Sequence, residues 1–91
     1  MNEINVNTKT NLGSFIGASE EFLLAMLKLG ISVTVHPHRG SHGAIFYVYS
    51  EHIEKFENEI LDKVIIGTYH KFYITKYGEY SYYVSYKLLK K

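Results

Sequence analysis

The chain has the size and composition of one folded domain. Its 91 residues are 46% hydrophobic and 21% charged, with a single proline. That composition excludes an intrinsically disordered segment, and a chain of this length has room for one hydrophobic core. The sequence contains no cysteine, which excludes a disulfide framework, a thiolate metal site and a thiol nucleophile. We therefore predict a single domain over residues 1–91.

No segment is typical of a membrane span or an export signal. The longest apolar run, from Phe22 to Leu27, is far shorter than the roughly 20 residues that a bilayer requires. The N-terminus lacks the basic and apolar regions of a signal peptide. We expect a cytoplasmic protein that makes no membrane contact.

The charges are nearly balanced but unevenly placed along the chain. A formal net charge of +1 argues against a protein that coats nucleic acid. Residues 1–62 hold four basic and eight acidic side chains, whereas residues 63–91 hold six lysines and one acid, Glu79. The two ends are therefore expected to face different partners. The bias towards Lys, Glu, Ile, Asn and Tyr is typical of AT-rich coding, as in low-GC bacteria and their phages, and indicates a phage or mobile-element origin.

The first predicted elements are a short strand and an apolar helix. Residues 3–8 alternate only briefly between apolar and polar side chains, which indicates either a strand or a loop. Ser19 is a good N-cap, and Glu20 and Glu21 follow in the first turn, where the helix dipole favours anions. Gly30 suits the left-handed position that ends a helix. The sequence therefore predicts a helix between Ser19 and Gly30.

This helix is apolar on every side, which a helix on one face of a small domain should not be. Leaving Leu-sized side chains in water would forfeit about 1.5–3 kcal/mol each. The back of the helix must therefore be covered, either by residues 1–18 or by a second subunit. The second alternative predicts a homodimer whose interface contains Phe22, Leu24, Met26 and Leu27.

Two strands and a second helix follow. Residues 31–36 alternate like a half-buried strand, and residues 44–49 are rich in aromatic and β-branched side chains. Ser50 then caps an amphipathic helix with Phe56 in its apolar stripe. The opposite face of this helix carries Glu51, Glu54, Glu57, Glu59 and Asp62. Those acids form either a solvated surface or an imitation of a phosphate backbone.

The C-terminal residues predict a hairpin of two strands, 65–76 and 79–89. A two-residue turn at 77–78 would put Phe72 and Val84 on opposite faces, whereas a three-residue loop with Gly78 in the left-handed conformation puts them on one face. We favour the odd-length loop. The other face then carries Tyr69, Lys71, Tyr73, Tyr83 and Lys87.

These elements give the order (β)αββαββ. They predict an α+β fold in which two helices lie on one face of a mainly antiparallel sheet. If residues 3–8 form a strand, the first six elements have a ferredoxin-like order with an added C-terminal strand.

The segment between the two central strands concentrates groups that could bind a ligand. Its polar candidates are His36, His38, Arg39, Ser41 and His42, with Gly40 and Gly43 beside them. Three imidazoles could supply zinc ligands, but Arg39 repels a divalent cation and no carboxylate lies in the loop. We therefore predict no metal and no cofactor. The loop is either a solvated connection or a site for phosphate, a nucleotide or nucleic acid, because Arg forks to phosphate oxygens and glycines expose backbone N–H groups.

One stretch also resembles the start of HicA-type toxin RNases. A helix ending in Gly30 and a strand are followed by Gly40, Ser41 and His42 before another strand. In that family the catalytic histidine follows a Gly-Ser pair, so the resemblance implies a catalytic His42, with His38 and Arg39 assisting. Gly43 stands where the family usually has a second histidine, and the next helix comes one strand early.

The tyrosine and lysine face of the hairpin allows three interpretations. Paired tyrosines stabilise exposed sheets, anchor protein interfaces, or stack on bases while lysines hold phosphates. We predict a small non-enzymatic binding or inhibitory protein that occupies a host or phage protein through this face. The alternatives are a nucleotide or nucleic-acid binder that uses the histidine and arginine loop, and a metal-independent RNase of toxin type.

Overall fold

The computed structural model describes residues 2–9, 17–37, 40 and 42–89, which form an α+β domain. The predicted class and alternation of strands and helices are confirmed, and residues 3–5 do form a strand. In chain order the elements are β1 (Glu3–Asn5), α1 (Ala18–Lys28), β2 (Val33–Val35), β3 (Gly43–Val48), a 3-10 helix (Ser50–His52), α2 (Ile53–Glu59), β4 (Val64–Ile66), β5 (His70–Lys76) and β6 (Ser81–Leu88).

The six strands form one sheet in the order β1-β4-β5-β6-β3-β2. β1 and β4 are parallel, and every other neighbouring pair is antiparallel. A ferredoxin-like sheet contains split β-α-β units whose two strands run in the same direction. Here β3 and β4, which the second helix joins, run in opposite directions with β6 and β5 between them. The first six elements follow the ferredoxin-like order along the chain, but their strands do not pair as in a ferredoxin-like sheet.

The predicted strand over residues 65–76 is two strands joined by a tight turn. The Gly67 N–H donates to the His70 carbonyl at 2.9 Å, and the next two N–H groups are taken by side chains from elsewhere. Thr68 N–H donates to the Thr8 hydroxyl and Tyr69 N–H to Glu21. Because these groups cannot extend the strand ladder, the chain reverses. Local sequence patterns contain no sign of partners so distant along the chain.

The predicted odd-length connection of the C-terminal hairpin and the faces that follow from it are confirmed, although Lys76 pairs with Tyr82 and the connection covers residues 77–81 instead of three residues. Phe72 pairs with Tyr86 and Ile74 with Val84, so all four lie on the face turned towards the helices. The N–H groups of residues 77 and 78 both donate to the Ser81 carbonyl at 3.0 Å. Two residues of one strand thus face one residue of the other, as in a β-bulge, and this accommodates the extra residue of an odd-length connection. Gly78 does not have a positive φ; among the described glycines only Gly30 does. That detail of the predicted loop is wrong.

Helix α1 ends as predicted but begins two residues earlier. Gly17 occupies the N-cap position, and the Ser19 hydroxyl instead lies 3.1 Å from the Tyr86 hydroxyl. Gly30 has a φ of 81°, its N–H donates to the Leu27 carbonyl, and the following N–H donates to the Met26 carbonyl. This is a Schellman motif, which requires the left-handed glycine.

Both helices pack on the same face of the sheet. The Phe22 ring centroid of α1 lies 4.7 Å from that of Phe46 and 5.2 Å from that of Phe72. The Phe56 ring of α2 lies 4.5 Å from that of Tyr82. These aromatic contacts join the helices to the three central strands, and they place the hydrophobic core between the helices and the sheet.

This packing corrects the predicted dimer interface. Phe22 and Met26 are fully buried within the chain, so neither is available to a second copy. Their side of α1 faces the sheet, which helical periodicity could not reveal in a helix without a polar face. Leu24 is half-buried, while Leu27 is 69% exposed. Residues 10–16 of the proposed N-terminal cover lie outside the described residues, and the homodimer stays a prediction.

Within the described part of the chain, no helix is long and apolar enough to cross a membrane.

Candidate functional site

The face of the sheet away from the helices holds the predicted partner-contact residues. Lys71 and Lys87 sit directly opposite each other, and the neighbouring positions Tyr73 and Tyr83 lie on the same face. Tyr69 immediately precedes β5. The register therefore places Lys71, Tyr73, Tyr83 and Lys87 on one face of the sheet. We use the name open face for the surface that contains these five residues and Tyr47, which the next paragraph describes.

The structure adds Tyr47 to this set. It pairs with Ser81 across β3 and β6, which puts it on the face of Tyr83, and it is 41% exposed. The alternation within β3 already separated Tyr47 from Phe46. However, the sequence did not show that β3 lies beside β6, so the tyrosines of the two strands could not be joined.

Two contacts hold the side chains of the open face in place. Lys71 Nζ lies 5.9 Å from the Tyr73 ring centroid, within the range of a cation–π interaction. Tyr83 lies across the sheet over Gly43, where a Cβ atom would come within 2.7 Å of the Tyr83 Cζ. A larger residue at position 43 would displace the tyrosine. Tyr83 is therefore 39% exposed while its ring packs against the backbone at Gly43.

A cavity of about 500 Å³ forms a second candidate site at one end of the sheet. It is lined by Ala18, His42, His70, Tyr86, Lys87 and Leu88. His42 belongs to the loop that the sequence predicted as an anion site, and Lys87 belongs to the open face. His70 was not predicted, because a lone histidine between Tyr69 and Lys71 has no distinguishing pattern.

Behind His70 lies a buried carboxylate. Glu21 is fully buried, and its Oε1 lies 2.7 Å from His70 Nδ1. Its Oε2 accepts the Tyr69 N–H at 2.9 Å and the Thr8 hydroxyl. With these donors directed at it the carboxylate accepts, so His70 carries a proton on Nδ1. The interaction fixes the orientation of the imidazole against the cavity.

The sequence predicted a different role for Glu21. A glutamate in the first turn of a helix is expected at the surface, where it favours the helix dipole. Its neighbour Glu20 does lie exposed there. The signal that distinguishes the two is position: Glu21 immediately precedes Phe22, and both belong to the side of α1 that faces the sheet.

Only part of the histidine and arginine loop is described. His38, Arg39 and Ser41 lie outside the described residues. His36 is half-buried after β2, with its N–H donating to the Ile45 carbonyl at 2.8 Å. His42 is exposed and lines the cavity. No group of three or more acidic or histidine side chains in the described residues could hold a metal ion.

Glu57 of α2 makes a third polar cluster, on the helix side of the sheet. Its Oε2 accepts the Tyr82 hydroxyl at 2.7 Å and pairs with Lys76. The hydrogen bond from Lys76, followed by that from Tyr82, lowers the pKa of the Glu57 carboxyl. Burial, and then the neighbouring carboxylate, raise the pKa of the Tyr82 hydroxyl. This cluster fastens α2 to the sheet and removes one acid from the predicted solvated face.

Comparisons with protein-family models, with characterised proteins and with solved structures gave no match. Function must therefore be argued from the geometry.

Proposed function

We propose that the chain is a non-enzymatic binding protein whose open face occupies an acidic surface of a partner protein. The observation that supports this is the combination of tyrosines and directly opposed lysines on one side of the sheet, with both helices on the other side. Tyrosine is the typical anchor of protein interfaces because it offers a large contact area and a polar tip.

The opposed lysines indicate the charge of the partner. Like charges directly opposite each other destabilise a sheet, and Lys71 and Lys87 occupy such a pair. Neither forms an ion pair with another described residue. An acidic surface docked on the open face would remove this repulsion, so we expect charge complementarity to direct association.

A protein partner fits better than nucleic acid. Proteins that hold nucleic-acid backbones neutralise many phosphates, and their affinity depends on the number of such contacts. The strand residues of the open face offer only two lysines, and the net charge of the chain is only +1. Exposed tyrosines with few cations are more typical of a protein interface.

The first experiment uses site-specific photocrosslinking. A benzophenone amino acid replaces Tyr83 or Tyr47 on the open face, or Tyr77 in the hairpin loop. Tyr77 is a matched control because it is the same type of side chain, outside the open face and, at 66%, more exposed than either. In cells of the native host, crosslinks from positions 83 and 47 should identify the same protein, and position 77 should not.

The identified protein is then purified and its affinity measured. Tyr83→Ala should cost about 2 kcal/mol, or roughly 30-fold in Kd, because a central tyrosine loses its contacts. Tyr77→Ala should change Kd by less than about twofold. Crosslinks to nucleic acid, no crosslink from either open-face position, or equal affinity of both variants would refute the proposal.

A further inference from the structure

Along β2, every second residue forms hydrogen bonds with β3. At one end of β2 the Tyr49 N–H donates to the Ser32 carbonyl at 3.3 Å. At the other end the His36 N–H donates to the Ile45 carbonyl at 2.8 Å. Because the bonds between antiparallel strands recur at every second residue, Thr34 also directs its N–H and C=O groups at β3.

The N–H and C=O groups of Val33 and Val35 therefore point away from β3, towards the edge of the sheet. β2 is the last strand on this side, and no described residue forms a hydrogen bond with these groups. A row of unpaired backbone groups is a template for another strand. The edge at β2 therefore fits an extended backbone that offers an N–H and a C=O at every second residue.

The opposite edge of the sheet, at β1, has a different character. Its outward backbone groups belong to Glu3 and Asn5, because Asn2 and Val6 on either side of them bond to β4. Glu3 and Asn5 are polar and exposed, and a charged side chain on an edge strand discourages pairing. In contrast, no residue from 29 to 35 is charged. Two copies that met along β2 would therefore bring no like charges of these residues together.

An exposed apolar surface adjoins the edge at β2. A hollow of about 390 Å³ lies where α1 meets β2, and its lining includes Leu23, Leu27, Val33 and Tyr49. Leu27 is 69% exposed and Tyr49 is 49% exposed. Val33 lies on the side of the sheet that faces the helices. A strand added antiparallel to β2 by a second copy would bring its own valines to this same side, next to the exposed leucine.

We propose that β2 pairs with β2 of a second copy, antiparallel about Thr34, so that the two sheets join into one. Val33 then lies opposite Val35 of the second copy, and every outward N–H meets a C=O. The two Thr34 side chains face each other, and such threonine pairs stabilise a sheet. Because each copy uses the same strand, the contact closes after two copies. The open face stays uncovered, so this inference does not rest on the proposed function.

Amide hydrogen exchange of the unmodified protein, followed by NMR at millimolar concentration, tests the edge directly. The N–H groups of Val33 and Val35 should exchange slowly, because hydrogen bonds to the second copy protect them. The N–H groups of Glu3 and Asn5, which point outward at the other edge, should exchange rapidly. Rapid exchange at Val33 and Val35 under these conditions would overturn the pairing.

Charge variants at the symmetry axis test the register. Thr34 is exposed, so a substitution there does not disturb the core. Thr34→Lys and Thr34→Glu should each weaken self-association by at least about fivefold in sedimentation equilibrium, because like charges then face each other. An equal mixture of the two variants should associate about as strongly as the wild type, because opposite charges then meet.

Two controls separate this contact from other surfaces. Asn5→Lys places the same charge at an exposed position of the opposite edge and should leave the dimer intact. Tyr83→Ala, on the open face, should also leave self-association unchanged. The proposal would be overturned by a wild-type monomer at millimolar concentration, by equal weakening in either control, or by a Thr34 mixture that associates no better than its components.

Discussion

Glu21 of α1 and Glu57 of α2 both reach from a helix to the core side of the sheet, but their surroundings differ. Glu21 is fully buried and accepts hydrogen bonds from a backbone N–H, a hydroxyl and an imidazole. Glu57 is half-buried and accepts from Tyr82 and Lys76. Removing the first would leave buried donors without an acceptor, whereas water can replace much of the second. How deeply a carboxylate is buried, more than how many partners it has, therefore determines how much stability the fold loses when it is removed.

The largest expected effect is that of Glu21→Ala. Two buried donors, Thr8 and His70, and the part-buried Tyr69 N–H lose their acceptor, and each unsatisfied buried group costs about 1–3 kcal/mol, so we expect a loss of about 3–5 kcal/mol in the free energy of unfolding. Urea denaturation measures it. Glu20→Ala is the control, since this exposed neighbour in the same turn should cost less than about 1 kcal/mol. Equal losses for the two variants would show that the buried cluster is not a stabilising centre.

Gly67→Ala is expected to lower the stability of the fold by an intermediate amount. A Cβ atom at position 67 would lie 2.8 Å from the Glu21 Cδ, and overpacking of this kind costs about 1–3 kcal/mol. Gly78→Ala is the control because its Cβ would meet only the Ser81 side chain, whose Oγ, at 2.6 Å, can rotate away. In thermal unfolding, the Tm of Gly67→Ala should be clearly lower than that of Gly78→Ala. The reverse order would argue against close packing of the turn on Glu21.

The smallest effect at neutral pH is expected for Glu57→Gln, because the amide oxygen can still accept the Tyr82 hydroxyl. The difference should appear on acidification. The folded pKa of Glu57 is lowered from its ordinary value of 4.5, so its contribution to stability is present above that value and is lost as the pH falls through the folded pKa. Denaturation curves at pH 7 and pH 3 should show a smaller acid-induced loss for the variant than for the wild type. An equal acid-induced loss of stability in the variant and the wild type would show that Glu57 does not contribute to acid destabilisation.

The sequence by itself determined much of the secondary structure and one important register. The odd-length connection between β5 and β6 followed from the requirement that Phe72, Val84 and Tyr86 share a face, since a shift of one residue would put Phe72 on the face opposite to the other two. Gly30 marked the end of α1 because its left-handed conformation disfavours a side chain. The open face was predictable for the same reason. Side chains of a strand alternate between the two faces of the sheet, and the apolar side chains pack in the core.

What only the tertiary structure decided are contacts between residues far apart in the chain. The reversal at Gly67 depends on Thr8 and Glu21, and Tyr47 joins Tyr83 only because β3 lies beside β6. In the same way, His42 and His70 share a cavity although 27 other residues separate them in the chain. Local patterns report which side of an element is apolar. They do not report which polar group is carried into the core, because that depends on donors and acceptors brought together by the sheet order.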